Sequence, residues 1–153
     1  LSSSSAASDV YKRQGQIISF EHDELWAKKS ISLINSLNLQ DICKVIYAPL
    51  SNIEVDDSNW SWYSNFENSI KSEKIDMLFI DGPPSQKKNN EAPRYPAVPL
   101  CYSRFNDGAI VILDDAKRKG EKSYLETWKK KYNLTGEIRL YYERGLGILR
   151  FKK

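Results

Sequence analysis

The chain has 153 residues and a net charge of +3, with 41% hydrophobic and 28% charged residues. This length fits one domain, and the hydrophobic share with four tryptophans provides enough apolar surface for a core, which excludes a disordered chain. The small positive charge does not require a nucleic-acid partner. No apolar run approaches the roughly 20 residues that a membrane-spanning helix needs.

The first fourteen residues, LSSSSAASDVYKRQ, have neither the charged start nor the apolar stretch of a signal peptide. They resemble a translated adapter sequence, so we exclude residues 1–14 from the fold prediction and treat residues 15–153 as a partial domain. Cys43 and Cys101 lack the spacing of a metal or redox site. Two isolated thiols are typical of a reducing compartment, and we expect a cytoplasmic protein.

Strands and helices are predicted in alternation along the chain. Apolar, β-branched composition predicts strands at residues 16–20, 42–47, 75–80, 109–113, 136–142 and 146–151. Helical spacing and composition predict helices at residues 24–37, 63–72, 95–105 and 117–132. This order predicts a Rossmann-like α/β domain with a mostly parallel sheet and helices on both faces. A closing hairpin that turns at residues 143–145 adds an antiparallel strand.

Local signals place several boundaries between these elements. Asp23 is suited to cap the first helix, and the sequence Asn106-Asp107-Gly108 predicts the end of the third helix. Residues 51–61 are polar and are predicted as a loop. Residues 85–94 are rich in lysine and asparagine and predict a second loop, which is long enough to act as a lid.

Three predicted strands end in acidic residues. These are Glu21, Asp81 and the pair Asp114-Asp115. Ligands of open α/β sheets bind beyond the carboxyl ends of the strands. Neighbouring carboxylates repel one another unless a cation, a donor-rich ligand or water satisfies them. Any one of these acids could instead be a helix cap or a turn former, but three at equivalent places favour a binding site.

Glu21 has the position of the acid that accepts the ribose hydroxyls of an adenosine cofactor. In such βαβ units the acid lies about 20 residues after the start of a glycine-rich loop. Counting back from Glu21 reaches residues 1–14, where no such loop is present. We therefore expect a domain whose first strand and glycine loop are missing.

Six short segments together resemble class I S-adenosylmethionine-dependent methyltransferases, in particular the small-domain group of sugar and antibiotic O-methyltransferases that is related to catechol O-methyltransferases. They occur in register from residue 15 to the end of the chain: IISFEHD (17–23), APL (48–50), WSWY (60–63), IDGPP (80–84), RYPA (94–97) and LDDAKR (113–118). The closing antiparallel strand agrees with this fold. The resemblance implies S-adenosylmethionine as the cofactor, with Glu21 at its ribose, His22 beside the adenosine, and Ala48, Pro49 and Leu50 along the adenine.

The resemblance also implies roles for the other strand-end acids. Asp81 would lie near the methionine part of the cofactor, and Asp81 and Asp114 are the candidate catalytic residues. In metal-dependent relatives, acids matching Asp81, Asp114 and Asp115 hold a metal, and an all-oxygen site of this kind suits Mg²⁺. Many methyltransferases of this fold need no metal, and the second acid of the pair could instead cap the next helix. Arg94 and Arg118 follow two of these strands and are candidates either for binding an anionic substrate or for structural ion pairs.

Three further features are open to two interpretations. His22 could act as a general base or could contact the adenosine. Trp60, Trp62 and Tyr63 could stack on the cofactor or acceptor, but packing against the sheet edge is the simpler interpretation. The lysine-rich helix at residues 117–132 is typical of a solvated face, and we do not expect nucleic acid as a partner.

The sequence therefore predicts an S-adenosylmethionine-dependent O-methyltransferase that acts on a small molecule or a sugar. One alternative is a metal-dependent nucleotide-sugar transferase that uses Asp114-Asp115, although an Asp-X-Asp motif is missing. Another is a non-catalytic fragment, because the missing first strand would lie in the middle of the sheet and its loop would face the cofactor. We accordingly expect weak cofactor affinity in this chain.

Overall fold

A computed structural model describes residues 15–84, 93–139 and 143–153. The adapter-like segment, most of the predicted loop at 85–94 and the end of the strand predicted at 136–142 lie outside these residues. The chain divides into two compact units, the first ending at Leu50 and the second beginning at Ser51.

The described residues of the first unit, from position 15 onward, form one βαβ crossover. Strand β1 (Ile17–Glu21) is followed by helix α1 (Glu24–Ser36) and strand β2 (Cys43–Tyr47). β1 and β2 pair in parallel, with Ile17 opposite Cys43 and Glu21 opposite Tyr47. Parallel neighbours require such a crossover, which is why the alternation in the sequence predicts this unit correctly.

Helix α1 begins as the sequence predicts. Asp23 has extended backbone angles, and its side chain accepts a hydrogen bond from the Trp26 backbone N–H at 3.0 Å. Ala27 is the buried residue of the helix, whereas Leu25, Trp26 and Leu33 are each more than half exposed. The apolar spacing that identifies the helix therefore does not translate into a buried face.

The core of the second unit is a four-stranded mixed sheet. Its strands are β5 (Ile75–Ile80), β6 (Phe105–Asp114), β7 (Leu134–Arg139) and β8 (Leu146–Phe151), in the spatial order β5-β6-β8-β7. β5 and β6 are parallel, and β8 is antiparallel to both β6 and β7. This arrangement confirms the predicted mixed α/β architecture with an antiparallel closing strand.

In the described part of the second unit, three helices accompany this sheet. They are α2 (Phe66–Ile70), α3 (Ala97–Cys101), which continues into a short 3₁₀ turn, and α4 (Lys119–Lys131). α4 buries Leu125 and Trp128, which are 1% and 0% exposed. A Cβ atom on Gly147 of β8 would lie 2.7 Å from Leu125 Cδ1, so the close approach of helix and sheet depends on this glycine. Within the described residues, no helix combines the length and apolar character needed to cross a membrane.

The prediction of a loop at residues 51–61 is wrong, because this segment forms a β-hairpin. Strands β3 (Leu50–Val55) and β4 (Ser58–Tyr63) pair with each other, and Asp56 and Asp57 form the turn. Both turn residues have positive φ, at 51° and 58°, as a two-residue type I′ turn requires. Such turns are usually recognised in a sequence by glycine or asparagine. This turn has two aspartates instead, so the sequence did not indicate it.

The predicted end of the third helix at Asn106-Asp107-Gly108 is also wrong. α3 ends earlier, and β6 already begins at Phe105. Ile75 pairs with Phe105 but Met77 pairs with Ile110, so β6 contains additional residues at this point. Gly108, at φ 78°, accommodates the irregularity, and Asn106 Nδ2 donates to Asp76 Oδ1 at 2.8 Å. The turn-like sequence is therefore a bulge within a strand.

Candidate functional site

The acids predicted from β5 and β6 lie together at one edge of the sheet. Asp81 directly follows β5, Asp114 ends β6, and Asp115 comes next. Because β5 and β6 are parallel and in register, with Ile80 opposite Leu113, both strands deliver their acids to the same place. One carboxylate oxygen of each acid lies within 4.8 Å of the others. These three residues are called the acidic cluster below.

The members of the acidic cluster differ in exposure and conformation. The Asp81 side chain is 65% exposed, whereas that of Asp115 is 5% exposed. Asp115 has a left-handed backbone, with φ at 58°, which aspartate tolerates better than most residues. This conformation ends the strand and directs the Asp115 side chain into the protein.

Three guanidinium groups surround the buried carboxylate of Asp115. Arg118 Nη2 lies 2.9 Å and Arg94 Nη2 lies 3.3 Å from Asp115 Oδ2. Arg144 Nη1 lies 3.8 Å from Asp115 Oδ1. The two arginines predicted as site residues, Arg94 and Arg118, therefore converge on the same acid, and Arg144 is an addition that the sequence did not suggest.

Arg94 contacts every member of the acidic cluster. Besides its ion pair with Asp115, its Nη1 donates to the Asp114 carbonyl oxygen at 3.0 Å, and its Nη2 lies 3.6 Å from Asp81 Oδ1. The Arg94 side chain is 5% exposed, and its buried Nε has no hydrogen-bond partner among the described residues. Its guanidinium is therefore committed to the protein interior.

The position of Arg144 depends on a turn that docks onto the start of α4. The backbone N–H groups of Ala116 and Lys117 donate to the carbonyl oxygens of Gly145 and Arg144 at 3.1 and 3.0 Å. Gly145 has φ 75°, and a Cβ atom there would lie 3.0 Å from the Lys117 nitrogen. The predicted hairpin turn is thus also a support for the acidic cluster.

Glu121 is a buried acid that the sequence analysis missed. It is 2% exposed, and Arg118 Nη1 lies 3.8 Å from its Oε1. Burial raises the pKa of Glu121, while its own backbone hydrogen bond and the charges of Arg94 and Arg118 act in the opposite direction. Glu121 precedes Leu125 by four residues and Trp128 by seven, so its place on the buried face of α4 could have been recognised from helical spacing.

Asp56, in the turn of the β3–β4 hairpin, is a second acid with unexpected partners. It accepts hydrogen bonds from the hydroxyls of Tyr95 at 2.5 Å and Tyr132 at 3.0 Å, and Lys131 Nζ lies 2.7 Å away. The hydrogen bond from Lys131, followed by that from Tyr95, lowers the pKa of Asp56. Tyr95 directly follows Arg94, so this network fixes the backbone next to the buried arginine.

The tryptophans of β4 are part of the packing of the second unit. Trp60 stacks on Tyr95 with ring centroids 5.0 Å apart, and Trp62, which is 2% exposed, packs edge-on against Tyr63 and Phe66. This agrees with the simpler of the two interpretations of these residues. Trp60 thereby helps to position Tyr95, the neighbour of Arg94.

The predicted cofactor residues of the first unit lie around the end of β1. Glu21 Oε1 accepts from the Asp23 N–H at 2.9 Å and lies 3.0 Å from His22 Nδ1. The side chains of Glu21 and His22 are 31% and 30% exposed. The Ala48 N–H donates to the Glu21 carbonyl at 2.8 Å, so the structure brings the end of β1 and the start of the Ala48-Pro49-Leu50 segment together.

The acidic cluster has the right oxygen donors for a divalent ion but already contains opposite charge. Mg²⁺ requires oxygen ligands at about 2.0–2.1 Å in near-octahedral geometry. The Asp115 carboxylate is engaged by three arginines, and Arg94 also contacts Asp81. With these side chains in place, the cluster does not fit a divalent ion, and no chemical step is derived through one.

Comparison with known proteins supports the fold. No protein-family model and no curated protein sequence matches the chain. The chain is similar to the O-methyltransferase from Bacillus cereus in complex with SAH, with 17% identity and a TM-score of 0.65. This match covers 90% of this chain and 63% of that one. The chain is similar to the SAH-bound methyltransferase PaMTH1 of Podospora anserina, with 12% identity, a TM-score of 0.65 and coverages of 94% and 63%. It is also similar to a methyltransferase from Geobacter sulfurreducens, with 11% identity and a TM-score of 0.62, and the match covers 90% of this chain and 59% of that one.

These similarities show a Rossmann-like fold, as the sequence predicts, which the chain shares with these solved methyltransferases. The chain spans about 60% of the length of these solved structures.

Proposed function

We propose that residues 15–153 form part of an S-adenosylmethionine-dependent methyltransferase that methylates an oxygen of a small molecule or a sugar. The observation that carries this proposal is the acidic cluster at the carboxyl ends of the parallel strands β5 and β6, in a fold shared with SAH-bound methyltransferases. In open α/β sheets this edge is where ligands bind.

For the cofactor, the proposal assigns recognition of the ribose to Glu21. A carboxylate at the end of a parallel strand can accept hydrogen bonds from both ribose hydroxyls, and the Glu21 side chain is 31% exposed. His22 beside it would contact the adenosine, and Ala48, Pro49 and Leu50 would line the adenine. When bound, S-adenosylmethionine supplies an electrophilic methyl group on a positively charged sulfur.

For the acceptor, the proposal assigns the catalytic roles to Asp81 and Asp114. Methyl transfer is an in-line displacement, so orienting the attacking hydroxyl is a large part of catalysis. Asp81 is the exposed member of the acidic cluster, and its carboxylate can accept the proton that the hydroxyl loses. Arg118, whose side chain is 54% exposed, is better placed than the buried Arg94 to contact an anionic group of the acceptor.

The proposal does not include assistance by Mg²⁺, which the resemblance implies. The carboxylate of Asp115 is engaged by arginines, and Arg94 also contacts Asp81. The nucleotide-sugar transferase alternative requires a metal on Asp114-Asp115 and meets the same obstacle.

The two cysteines are free in the structure, in keeping with the expected cytoplasmic location. Burial raises the pKa of Cys101 to about 12, so its thiol stays protonated and does not act as a nucleophile.

Equilibrium dialysis with radiolabelled S-adenosylmethionine tests the cofactor assignment. We expect weak but saturable binding to the chain and an at least tenfold loss in Glu21→Gln, because an amide cannot accept both ribose hydroxyls as a carboxylate does. Glu24→Gln is a matched control, since Glu24 is exposed on the next helix and pairs with Lys28. Absence of binding, or equal binding by Glu21→Gln, would contradict the assignment.

Transfer of the labelled methyl group to a panel of catechols, phenols and sugars tests the reaction. We expect label in the oxygen-methylated product and its loss in Asp81→Asn. Label in a nitrogen-methylated product only would contradict O-methylation.

A further inference from the structure

The guanidinium of Arg94 lies where a bound cation would neutralise the negative charge of the acidic cluster. Its Nη2 is 3.6 Å from Asp81 Oδ1 and 3.3 Å from Asp115 Oδ2. These acids, with Asp114, bring their oxygens to within 4.8 Å of one another. A divalent ion bound to Asp81 and Asp115 would come close to this nitrogen and would be repelled by its positive charge.

The guanidinium of Arg94 cannot be displaced into solvent without a structural change. A guanidinium stays protonated throughout the pH range of proteins. The side chain is 5% exposed, and its Nη1 is also bound to the Asp114 carbonyl oxygen at 3.0 Å. Its neighbour Tyr95 is held by the hydrogen bond to Asp56 and by stacking on Trp60.

Arg118 and Arg144 do not neutralise Asp81, the exposed member of the acidic cluster. Arg118 and Arg144 contact Asp115, but among the described residues only Arg94 forms an ion pair with Asp81. Removal of the Arg94 charge would leave Asp115 paired, and would leave Asp81 and the carbonyl of Asp114 without their cationic partner. A group of oxygens without a counter-charge is a site that attracts a divalent ion.

We infer that Arg94 is the built-in cation of the acidic cluster, and that its guanidinium and a divalent metal ion are mutually exclusive there. Arg94 thereby orients the Asp81 carboxylate without a metal. This inference concerns cation binding by the chain, goes beyond the proposed function and does not require methyltransferase activity.

Titration with Mn²⁺, followed by the loss of the electron paramagnetic resonance signal of the free ion, tests the inference. We expect the unaltered chain to bind Mn²⁺ no better than its Asp81→Asn variant. We expect Arg94→Gln to bind at least tenfold more tightly than the unaltered chain, and the double variant Arg94→Gln/Asp81→Asn to lose that gain. Arg94→Lys keeps the charge and is expected to behave like the unaltered chain.

Two results would overturn the inference. The first is tight Mn²⁺ binding by the unaltered chain that Asp81→Asn abolishes, and this measurement requires no change at the buried Arg94. The second is a folded Arg94→Gln, judged by circular dichroism and thermal unfolding, that binds Mn²⁺ no more tightly than the unaltered chain. If Arg94→Gln does not fold, the comparison of the unaltered chain with Asp81→Asn and Arg94→Lys decides the question.

Discussion

The guanidinium of Arg118 lies 2.9 Å from the carboxylate of Asp115, three residues earlier in the chain. This pair spans the junction at which β6 ends and α4 begins, and Arg94 and Arg144 approach the same carboxylate. Asp115 is therefore an anion that links the end of a central strand, the start of a helix and two segments distant in sequence.

Replacement of Asp115 by asparagine should strongly destabilise the protein. Asparagine keeps the size of the side chain and tolerates the left-handed backbone, so the change removes mainly the charge. Loss of one partner from a buried ion pair costs about 3–5 kcal/mol, and here positively charged groups would be left facing one another. Urea unfolding measures the change, with Asp81→Asn, at an exposed site, expected to cost about 1 kcal/mol or less. A cost for Asp115→Asn as small as that of the control would contradict this role.

The stability of the protein should depend on pH through Glu121. Burial is the main reason that the pKa of Glu121 is raised, so the folded protein retains this proton to higher pH than the unfolded chain does. The stabilisation is complete below the unfolded pKa of about 4.3 and is lost as pH rises through the folded pKa. Relative to Glu121→Gln, the wild type should therefore lose free energy of unfolding as pH rises from 4 to 7.

Denaturant unfolding of both proteins across this range measures the effect of Glu121. Glu126→Gln is a control on the same helix, because the Glu126 side chain is 57% exposed. A wild type that gains stability over Glu121→Gln with rising pH would show that the neighbouring arginines outweigh burial.

The contact between α4 and β8 should not tolerate a methyl group on Gly147. A Cβ atom there would lie 2.7 Å from Leu125 Cδ1, so Gly147→Ala should cost about 1–3 kcal/mol of overpacking. Leu125→Ala alone should cost about 2–5 kcal/mol because it leaves a cavity. The double variant should be more stable than the sum of the two changes predicts, which a double-mutant cycle measures. Gly15→Ala, with nothing within 4 Å of the added atom, is the control. Strict additivity would contradict the contact.

The turn of the β3–β4 hairpin should be improved by glycine at position 57. Asp57 has φ 58°, a conformation that is unfavourable for residues with a Cβ atom and natural for glycine. Glycine also loses more conformational entropy on folding than aspartate does, which offsets part of this gain. The net effect that we expect of Asp57→Gly is a stabilisation of about 0.5 kcal/mol. Glu54→Gly, within β3, should instead destabilise it by a similar amount. Thermal unfolding distinguishes the two, and a loss of stability in Asp57→Gly would contradict the type I′ geometry.

The convergence of the acidic cluster could be predicted from the sequence because it depends on local order. Asp81 and Asp114 each come at the end of an apolar strand, and parallel neighbours align their carboxyl ends. The positions of Glu21 and Ala48 follow from the same rule in the first unit. To predict these positions, it was sufficient to identify the strands in the sequence and to recognise that neighbouring strands run parallel.

The arginine partners of Asp115 could not be predicted in the same way. Arg94 and Arg144 reach Asp115 only after a helix and a hairpin have folded, and no spacing rule connects them with it. The β3–β4 hairpin was missed for a different reason, because its turn uses two aspartates in place of a glycine. Side-chain networks and unusual turn residues depend on the tertiary structure, which local patterns do not contain.

The spatial order β5-β6-β8-β7 has a consequence for protein synthesis. β7 is made before β8, yet among the described residues of the four-stranded sheet it pairs only with β8. While residues 146–151 are still inside the ribosome, β7 has no edge to join and β6 keeps one edge open. The second unit therefore completes its sheet only after β8 has emerged, and until then an unpaired strand edge is exposed to pairing with other chains.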